Sequence, residues 1–393
     1  MSDAFDQFLN GELKSIDEAG LLRSLLRIET PQQVEVHSGN RKLINFSSND
    51  YLGLAAHESL RVAAQAGVET LGAGAGSARL ISGSQTIAHE LEAALGAFKQ
   101  TEAALSFSSG YAAALGTVPA LVGQGDVVII DKLVHACLVD AARLSGAKLR
   151  VFKHNDLSDL EAILQWADER EGNTLVISES VFSMDGDQAP LRDLVQLKNR
   201  YGAWLMLDEA HATGLYGAGR RGIAEEIGMA EHVEVQLGTL GKALGAAGGY
   251  ICGSQALIDL LVNRARSFIF STAPVPAQLA AAKRGVELLQ SNEGEVLRTR
   301  LWANVDVLKN GLIQQGWELP VGRSAILPLM IGDEREALTQ AERLREAGIW
   351  VPAVRYPTVA RGAARLRVTV SAAHQMEHLN ALLDALANAT ANG

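Results

Sequence analysis

Between about residue 50 and residue 285 the chain alternates short apolar runs with longer stretches of helical texture. The runs are Ala103–Phe107, Val127–Ile130, Leu149–Phe152, Leu175–Ile177, Trp204–Leu207, Val233–Leu237 and Gly249–Ile251. Runs this short and this apolar have no polar face to offer water, which predicts strands buried on both sides. Strands that alternate with helices build a mostly parallel α/β sheet.

The flanks differ in texture. Residues 1–45 read as an N-terminal helical segment, with an apolar stripe of Leu21, Leu22, Leu25, Leu26 and Ile28, and a short strand at Leu43–Phe46. The sheet domain then spans 46–285. From 286 to 393 a smaller C-terminal α+β domain is expected. It has a charged helical region through Arg298–Leu312, then strands at Ala325–Met330 and Arg365–Val370. The second of these strands alternates polar and apolar residues, which predicts one solvated face.

Composition narrows the function classes. The net charge of −10 argues against a nucleic-acid scaffold, because a phosphate backbone needs a basic face. The N-terminus Met1–Asp6 is acidic and has no apolar core, and no apolar stretch is long enough to span a bilayer, so neither a leader nor a membrane partner is expected. Cys137 and Cys252 fit neither a CxxC nor a metal-ligand spacing, which suits buried thiols in a cytoplasmic setting. His89-Glu90 lacks the second histidine of a metalloprotease helix, since position 93 is Ala, and His37, His57 and His232 have no spaced partners. No metal is expected.

Ligands of open α/β sheets sit at the carboxyl ends of the strands. The polar residues that follow the apolar runs are Asp131 and His135, Glu179 and Ser183, Asp208 and His211, and Thr239 and Lys242. A carboxylate at Asp208, half out of water, needs a cationic or strongly donating partner; a plain helix N-cap is the other reading. Lys242 lies in Gly238-Thr239-Leu240-Gly241-Lys242-Ala243-Leu244-Gly245, after a buried strand and almost free of charged neighbours. Such a lysine loses its proton readily, as a Schiff-base nucleophile must. A phosphate-binding P-loop is excluded: Gln236 stands where it needs glycine, and Ala243 where it needs Ser or Thr.

Several segments together carry a resemblance. They are Asn45–Leu54, Ser109–Ala113, His135-Ala136, Val181–Asp187, Asp208–His211, Gly238–Lys242, Ser271–Pro274 and Arg365–Arg367, spread in order through nearly the whole chain. In these the sequence resembles the α-oxoamine synthase family, pyridoxal-phosphate enzymes of the aspartate-aminotransferase fold type. The resemblance implies a PLP-dependent transferase fold of type I, with the mostly parallel mixed sheet in the large domain. It implies pyridoxal 5'-phosphate on Lys242, with Asp208 at the ring nitrogen, His135 stacked on the ring, and Ser183 and His211 at its phenolic oxygen. Gly110, Tyr111 and Thr239 would hold the phosphate, with Ser271 or Thr272 of a partner subunit in a homodimer. A helix N-terminus at Ser109-Gly110-Tyr111 suits an anion on physical grounds too. Arg355, assisted by Asn49, would bind the amino acid carboxylate, Arg23 would lie near the acyl substrate, and Thr358 would be a further substrate-binding residue.

The reaction so implied is a decarboxylating Claisen condensation of an amino acid with an acyl thioester carried by coenzyme A or an acyl carrier protein. Lys242 acts as base, and His135 assists as an acid during the condensation. Phe46–Tyr51 and Arg266–Thr272 most resemble the biotin-pathway member, which joins L-alanine to a pimeloyl thioester. The runner-up is the member that joins glycine to acetyl-CoA (a glycine C-acetyltransferase), which Gly238–Gly245 also resembles. An aminotransferase or lyase on the same sheet is the remoter alternative. The sequence departs from the family at Glu209, usually a second Asp, at Ala212, often Gly, and at Ala360, where Pro is common.

Overall fold

The apolar runs pair into one seven-stranded sheet. In this computed structural model, which describes residues 3–391, the strands along the chain are β1 (Glu35–Ser38), β2 (Arg41–Asn45), β3 (Ala103–Phe107), β4 (Val127–Asp131), β5 (Lys148–Phe152), β6 (Thr174–Glu179), β7 (Trp204–Asp208), β8 (Val235–Thr239), β9 (Gly249–Gly253), β10 (Ile326–Gly332), β11 (Ile349–Trp350), β12 (Ala353–Val354) and β13 (Ala364–Thr369). Met1, Ser2, Asn392 and Gly393, the outer ends of the expected flanking segments, lie outside the described residues. The large sheet runs β3-β9-β8-β7-β6-β4-β5. The pairs from β8 through to β5 are parallel, and only β9 is reversed against its neighbours β8 and β3. The expected mixed, mostly parallel sheet is therefore present.

Side-chain alternation explains why these runs need no polar face. Ile129, Val176, Leu205 and Leu207 enter one core, while Val128, Ile130, Leu175, Ile177 and Met206 enter a second core on the opposite side. A period of two sends successive residues to opposite faces, and both faces are covered. β5 is the edge strand and is only partly buried. The run expected at Val233 starts two residues later, at Val235.

Two expectations are corrected. Residues 21–29 carry no regular structure, and the helix of this segment is Asp3–Glu18. A helical stripe is stable only where a surface covers it, and here Leu22 and Leu25 are 47% and 101% exposed. Residues 35–45 are also not helical. They form a hairpin, and its strand β2 adds to β11 in parallel, Ile44 opposite Ile349. The second correction is β13. Its alternation predicted a solvated face, yet every residue in it is buried. The polar positions face the large domain: Arg365 pairs with Asp185, and Arg367 Nε donates to Ser183 O at 2.7 Å. Charged residues occupy the second face because charged and polar partners from elsewhere in the fold meet them there.

The departure at Glu209 has a structural consequence. Its Oε2 lies 2.8 Å from Lys99 Nζ, and both side chains are 1% exposed. Its Oε1 accepts from Ala224 N at 2.9 Å, and Lys99 also donates to Arg221 O. One carboxylate, immediately after Asp208, thus joins the end of the helix Thr86–Lys99 to the start of the short helix Ile223–Glu226. Breaking a buried pair strands an uncompensated charge, so Lys99→Met should lower the unfolding free energy by about 3–5 kcal/mol. Lys99→Met/Glu209→Leu should recover most of that loss; urea unfolding followed by circular dichroism checks both.

Candidate active site

The carboxyl ends of β4, β6, β7 and β8 converge on one cleft. Glu179 ends β6 and stands in register beside Asp208, which ends β7. Glu179 is buried and accepts a hydrogen bond from the backbone N–H of His135. It therefore fastens the segment that follows β4 to the end of β6. Asp208 Oδ1 accepts from Ala210 N at 2.8 Å, which turns the chain back so that His211 faces the cleft. Lys242 arrives from the turn after β8, with its Nζ 2.8 Å from His211 Nε2.

The electrostatics follow from burial. Desolvation lowers the Lys242 ammonium below its ordinary range, against the opposing pull of Asp208 and Glu179. Burial raises Glu179 well above the carboxylate range, and the Asp208 charge adds to this. Asp208 is also raised by burial, while Lys242 pulls it back. Burial, with Lys242 and Arg367 nearby, holds His211 well below its usual value, so it is neutral. The cleft thus holds an amine, two carboxylates and a neutral imidazole with little water between them, a setting in which proton positions are easily exchanged.

At the neighbouring rim the helix Gly110–Leu121 begins, with Ser109 Oγ accepting from Ala112 N at 3.0 Å. The N–H groups of Gly110 and Tyr111 head this helix at its positive end. Glycine is needed nearby: a Cβ on Gly249 would lie 2.5 Å from Gly110 Cα. Thr239 packs against Gly110, and its hydroxyl donates to Gly248 O at 2.9 Å and accepts from Gly241 N at 3.2 Å. It braces the Lys242 turn. The Tyr111 hydroxyl donates to Asp140 Oδ2 at 2.6 Å. His135 caps the helix Ala136–Ser145, its Nδ1 accepting from Cys137 N at 3.2 Å, while its ring stays exposed to the cleft.

Arg355, Arg23 and Thr358 lie together in the structure. They line a cavity of about 470 Å³ with Leu22, Met184 and Trp350. Arg23 Nη2 donates to Thr358 Oγ1 at 3.4 Å, and Arg355 Nη2 donates to Leu22 O at 2.9 Å. Arg355 Nη1 is buried without a hydrogen-bond partner. A buried guanidinium with an unused donor suits an incoming carboxylate. Asn49, expected to assist Arg355, is hydrogen-bonded elsewhere: its Oδ1 accepts from Nη1 and Nη2 of Arg367, each at 3.1 Å. Ser271 and Thr272 lie beside the 77–78 segment, where Thr272 bridges Ala78 and Ala273 N donates to Ser77 O at 3.0 Å. Among the described residues no hydrogen bond joins them to the Lys242 cluster of the same chain. Asp131 stays outside the cleft: it accepts from Leu133 N and Asn155 N and contacts His154.

Three residues of the cleft had been given no role. Tyr51, Glu179 and Arg367 all lay in or beside segments already singled out. The available signal was a pair of arginines at the polar positions of the β13 alternation and a tyrosine in the polar run Ser47–Tyr51.

The fold and this cleft define a cofactor-dependent transferase of the aminotransferase kind, and the comparisons agree. The model of the aminotransferase class I and II family matches residues 41–386. The chain belongs to that family and, within it, to the α-oxoamine synthases. It is 46% identical to the 8-amino-7-oxononanoate synthase of Geobacter sulfurreducens, covering 96% of both chains. It is 41% identical to that of Symbiobacterium thermophilum, over 98% of this chain and 97% of the relative. A serine palmitoyltransferase from S. paucimobilis, solved with a PLP–myriocin adduct, superposes with a TM-score of 0.92 at 28% identity, over 100% of this chain and 99% of that one. An 8-amino-7-oxononanoate synthase from Francisella tularensis does so with a TM-score of 0.77 at 27% identity, over 89% of this chain and 98% of that one.

Two outcomes follow from these contacts. Arg355→Gln should weaken binding of a carboxylate ligand in this cavity by about 10–100-fold, the worth of one charge-assisted hydrogen bond, as read by isothermal titration calorimetry. The second concerns the turn that carries Ser183. His154 Nδ1 and Nε2 lie 2.9 and 2.8 Å from Asp131 and Asp187. Burial opposes its charge, but these carboxylates outweigh burial and carry the imidazolium up to about 10. A raised histidine stabilises fully below its unfolded value of about 6.5. The urea midpoint of the wild type should therefore exceed that of His154→Gln most at pH 6, and the gap should close as pH rises towards 10.

Proposed function

We propose that this chain is a pyridoxal-phosphate-dependent acyltransferase. It joins L-alanine to a pimeloyl thioester with loss of carbon dioxide and forms 8-amino-7-oxononanoate, a step of biotin biosynthesis. The observation that carries this reading is 41–46% identity, over nearly the full length, to curated 8-amino-7-oxononanoate synthases.

The cleft fits the cofactor by the chemistry of its donors. Lys242 offers a desolvated amine for the aldehyde, Asp208 a carboxylate for the ring nitrogen, and the exposed ring of His135 a stacking surface. Ser183 and His211 would hydrogen-bond the ring's phenolic oxygen. Gly110, Tyr111 and Thr239 gather at a helix N-terminus suited to the phosphate. When bound, pyridoxal phosphate supplies an electron sink for the negative charge that develops at the amino acid Cα.

The chain's own residues do the rest. Arg355 pairs with the substrate carboxylate and fixes the orientation of the bonds at Cα. Arg367, held by Asn49 and Ser183 O, adds a second guanidinium on the same side. Desolvation keeps the freed Lys242 amine neutral enough to remove the Cα proton and later return one. His135 faces the same space and serves as an acid during the condensation. Arg23 and Thr358 line the entry for the acyl chain, which arrives on coenzyme A or an acyl carrier protein.

A homodimer completes the site in this reading, with Ser271 and Thr272 reaching the phosphate of the neighbouring subunit. Supporting it, Leu80, Ile81 and Phe270 beside that segment are 50%, 80% and 70% exposed, and so are Phe5, Phe8, Leu9, Leu13 and Ile16 along the helix Asp3–Glu18. The two free, buried cysteines suit a cytoplasmic setting. No helix among the described residues is long and apolar enough to cross a membrane.

Carbon dioxide release, measured over a panel of amino acids and thioesters, tests the assignment. L-alanine with pimeloyl thioester should turn over fastest, and preference for glycine with acetyl-CoA, or for serine with a long-chain thioester, overturns it. Lys242→Ala should fold normally, bind the cofactor without fixation by borohydride, and lose about 10²–10⁴-fold in rate, the usual share of a general base.

A further inference from the structure

The contacts around His211 form one continuous hydrogen-bonded chain. Lys242 Nζ lies 2.8 Å from His211 Nε2. His211 Nδ1 lies 2.5 Å from the Tyr51 hydroxyl. That hydroxyl lies 3.3 Å from Asn49 Oδ1, and Asn49 Oδ1 accepts from Nη1 and Nη2 of Arg367 at 3.1 Å. Tyr51 is 1% exposed, and its backbone is held by Ala372 N, which donates to Tyr51 O at 2.7 Å. Its ring has no room to leave the chain.

The direction of each proton can be worked out from the far end. A guanidinium only donates, so the Asn49 atom facing Arg367 is the amide oxygen, which only accepts. Two oxygens then face each other, Asn49 Oδ1 and Tyr51 Oη, and only the phenol has a proton to place between them. With that proton directed at Asn49, the Tyr51 oxygen presents lone pairs to His211. The short contact to Nδ1 must then be filled by an Nδ1–H donor. A neutral imidazole carries one N–H, so Nε2 is left with its lone pair, aimed at Lys242.

We propose that Tyr51 is a positioning residue that sets the tautomer of His211, holding the proton on Nδ1 and the Nε2 lone pair towards Lys242 when the cofactor is absent. The arrangement keeps the Lys242 amine hydrogen-bonded and pointed into the cleft. It also links the guanidinium on the substrate side, Arg367, to the histidine beside the nucleophile. Burial pushes the Tyr51 phenol up to about 12, so it stays protonated and able to make this choice. The inference rests on the proposed site only in placing Lys242 and His211 at the cofactor. The tautomer is a property of the chain alone.

The test uses the full-length chain freed of pyridoxal phosphate and labelled with ¹⁵N-histidine. His211 is assigned among the nine histidines by comparison with His211→Gln. In the wild type, His211 Nε2 should show the shift of an unprotonated ring nitrogen, and Nδ1 that of a protonated one. Tyr51→Phe removes the hydroxyl but keeps the ring, and should bring the two shifts together towards the average of exchanging tautomers. Asn49→Leu, which removes the acceptor that directs the phenol, should move the proton of His211 towards Nε2, and this variant carries the test if Tyr51→Phe does not fold. A protonated Nε2 in the wild type, or an unchanged His211 spectrum in both variants, overturns the proposal. Neither result depends on which amino acid or thioester the enzyme prefers.

Discussion

The rest of the site depends on holding a primary amine out of water between carboxylates. Lys242 lies among Asp208, Glu179 and His211, and its proton affinity is set by desolvation working against two negative charges. A lysine in water would be an ammonium, unable to act as a nucleophile or base at neutral pH. A lysine buried alone would strain the fold. The parallel sheet resolves this by delivering each partner from a different strand end. β6 and β7 bring Glu179 and Asp208 into register, and the turn after β8 carries the lysine to them. Glycine at 249 permits the close approach of the helix that begins at Gly110.

The second constraint is the pairing of the two domains through arginine. β13 places Arg365 and Arg367 against loops of the large domain, where Asp185, Ser183 O and Asn49 meet them. Arg355 belongs to the same small domain but keeps one buried donor free. The small domain thus contributes two kinds of guanidinium: one that holds the site together and one still available to a ligand. Glu209 plays a comparable structural part on the other side of Asp208, where its buried pair with Lys99 anchors the loop that positions both Asp208 and His211.

Much of the large domain was legible in the sequence. Every expected strand of the large sheet forms, and those in its middle are buried on both sides because their runs have little polar surface to offer water, while β5 at the edge is only partly buried. The polar residues at four strand ends were also visible, and all of them but Asp131 converge. Asp131 does not, since its carboxylate is taken by His154, Leu133 N and Asn155 N. The stripe at 21–28 was misleading because helix periodicity reports a helix only when a surface covers it, and among the described residues none covers Leu25. β13 was misleading for the complementary reason: alternation shows that two faces differ, not that one of them is wet.

What the sequence alone determined was the set of reactive groups and the kind of sheet that would present them: Lys242 after a buried strand, Asp208 and His211 around one turn, and the glycines where backbone must approach backbone. These are local properties, set by side-chain period and by the neighbours within a few residues. Tertiary structure decided who touches whom. Asn49 meets Arg367 across 318 positions of chain, and Tyr51 meets His211 across 160. Such contacts have no signature in spacing, because the hydrogen-bonding capacity of a buried side chain is satisfied by whichever segment the fold lays beside it.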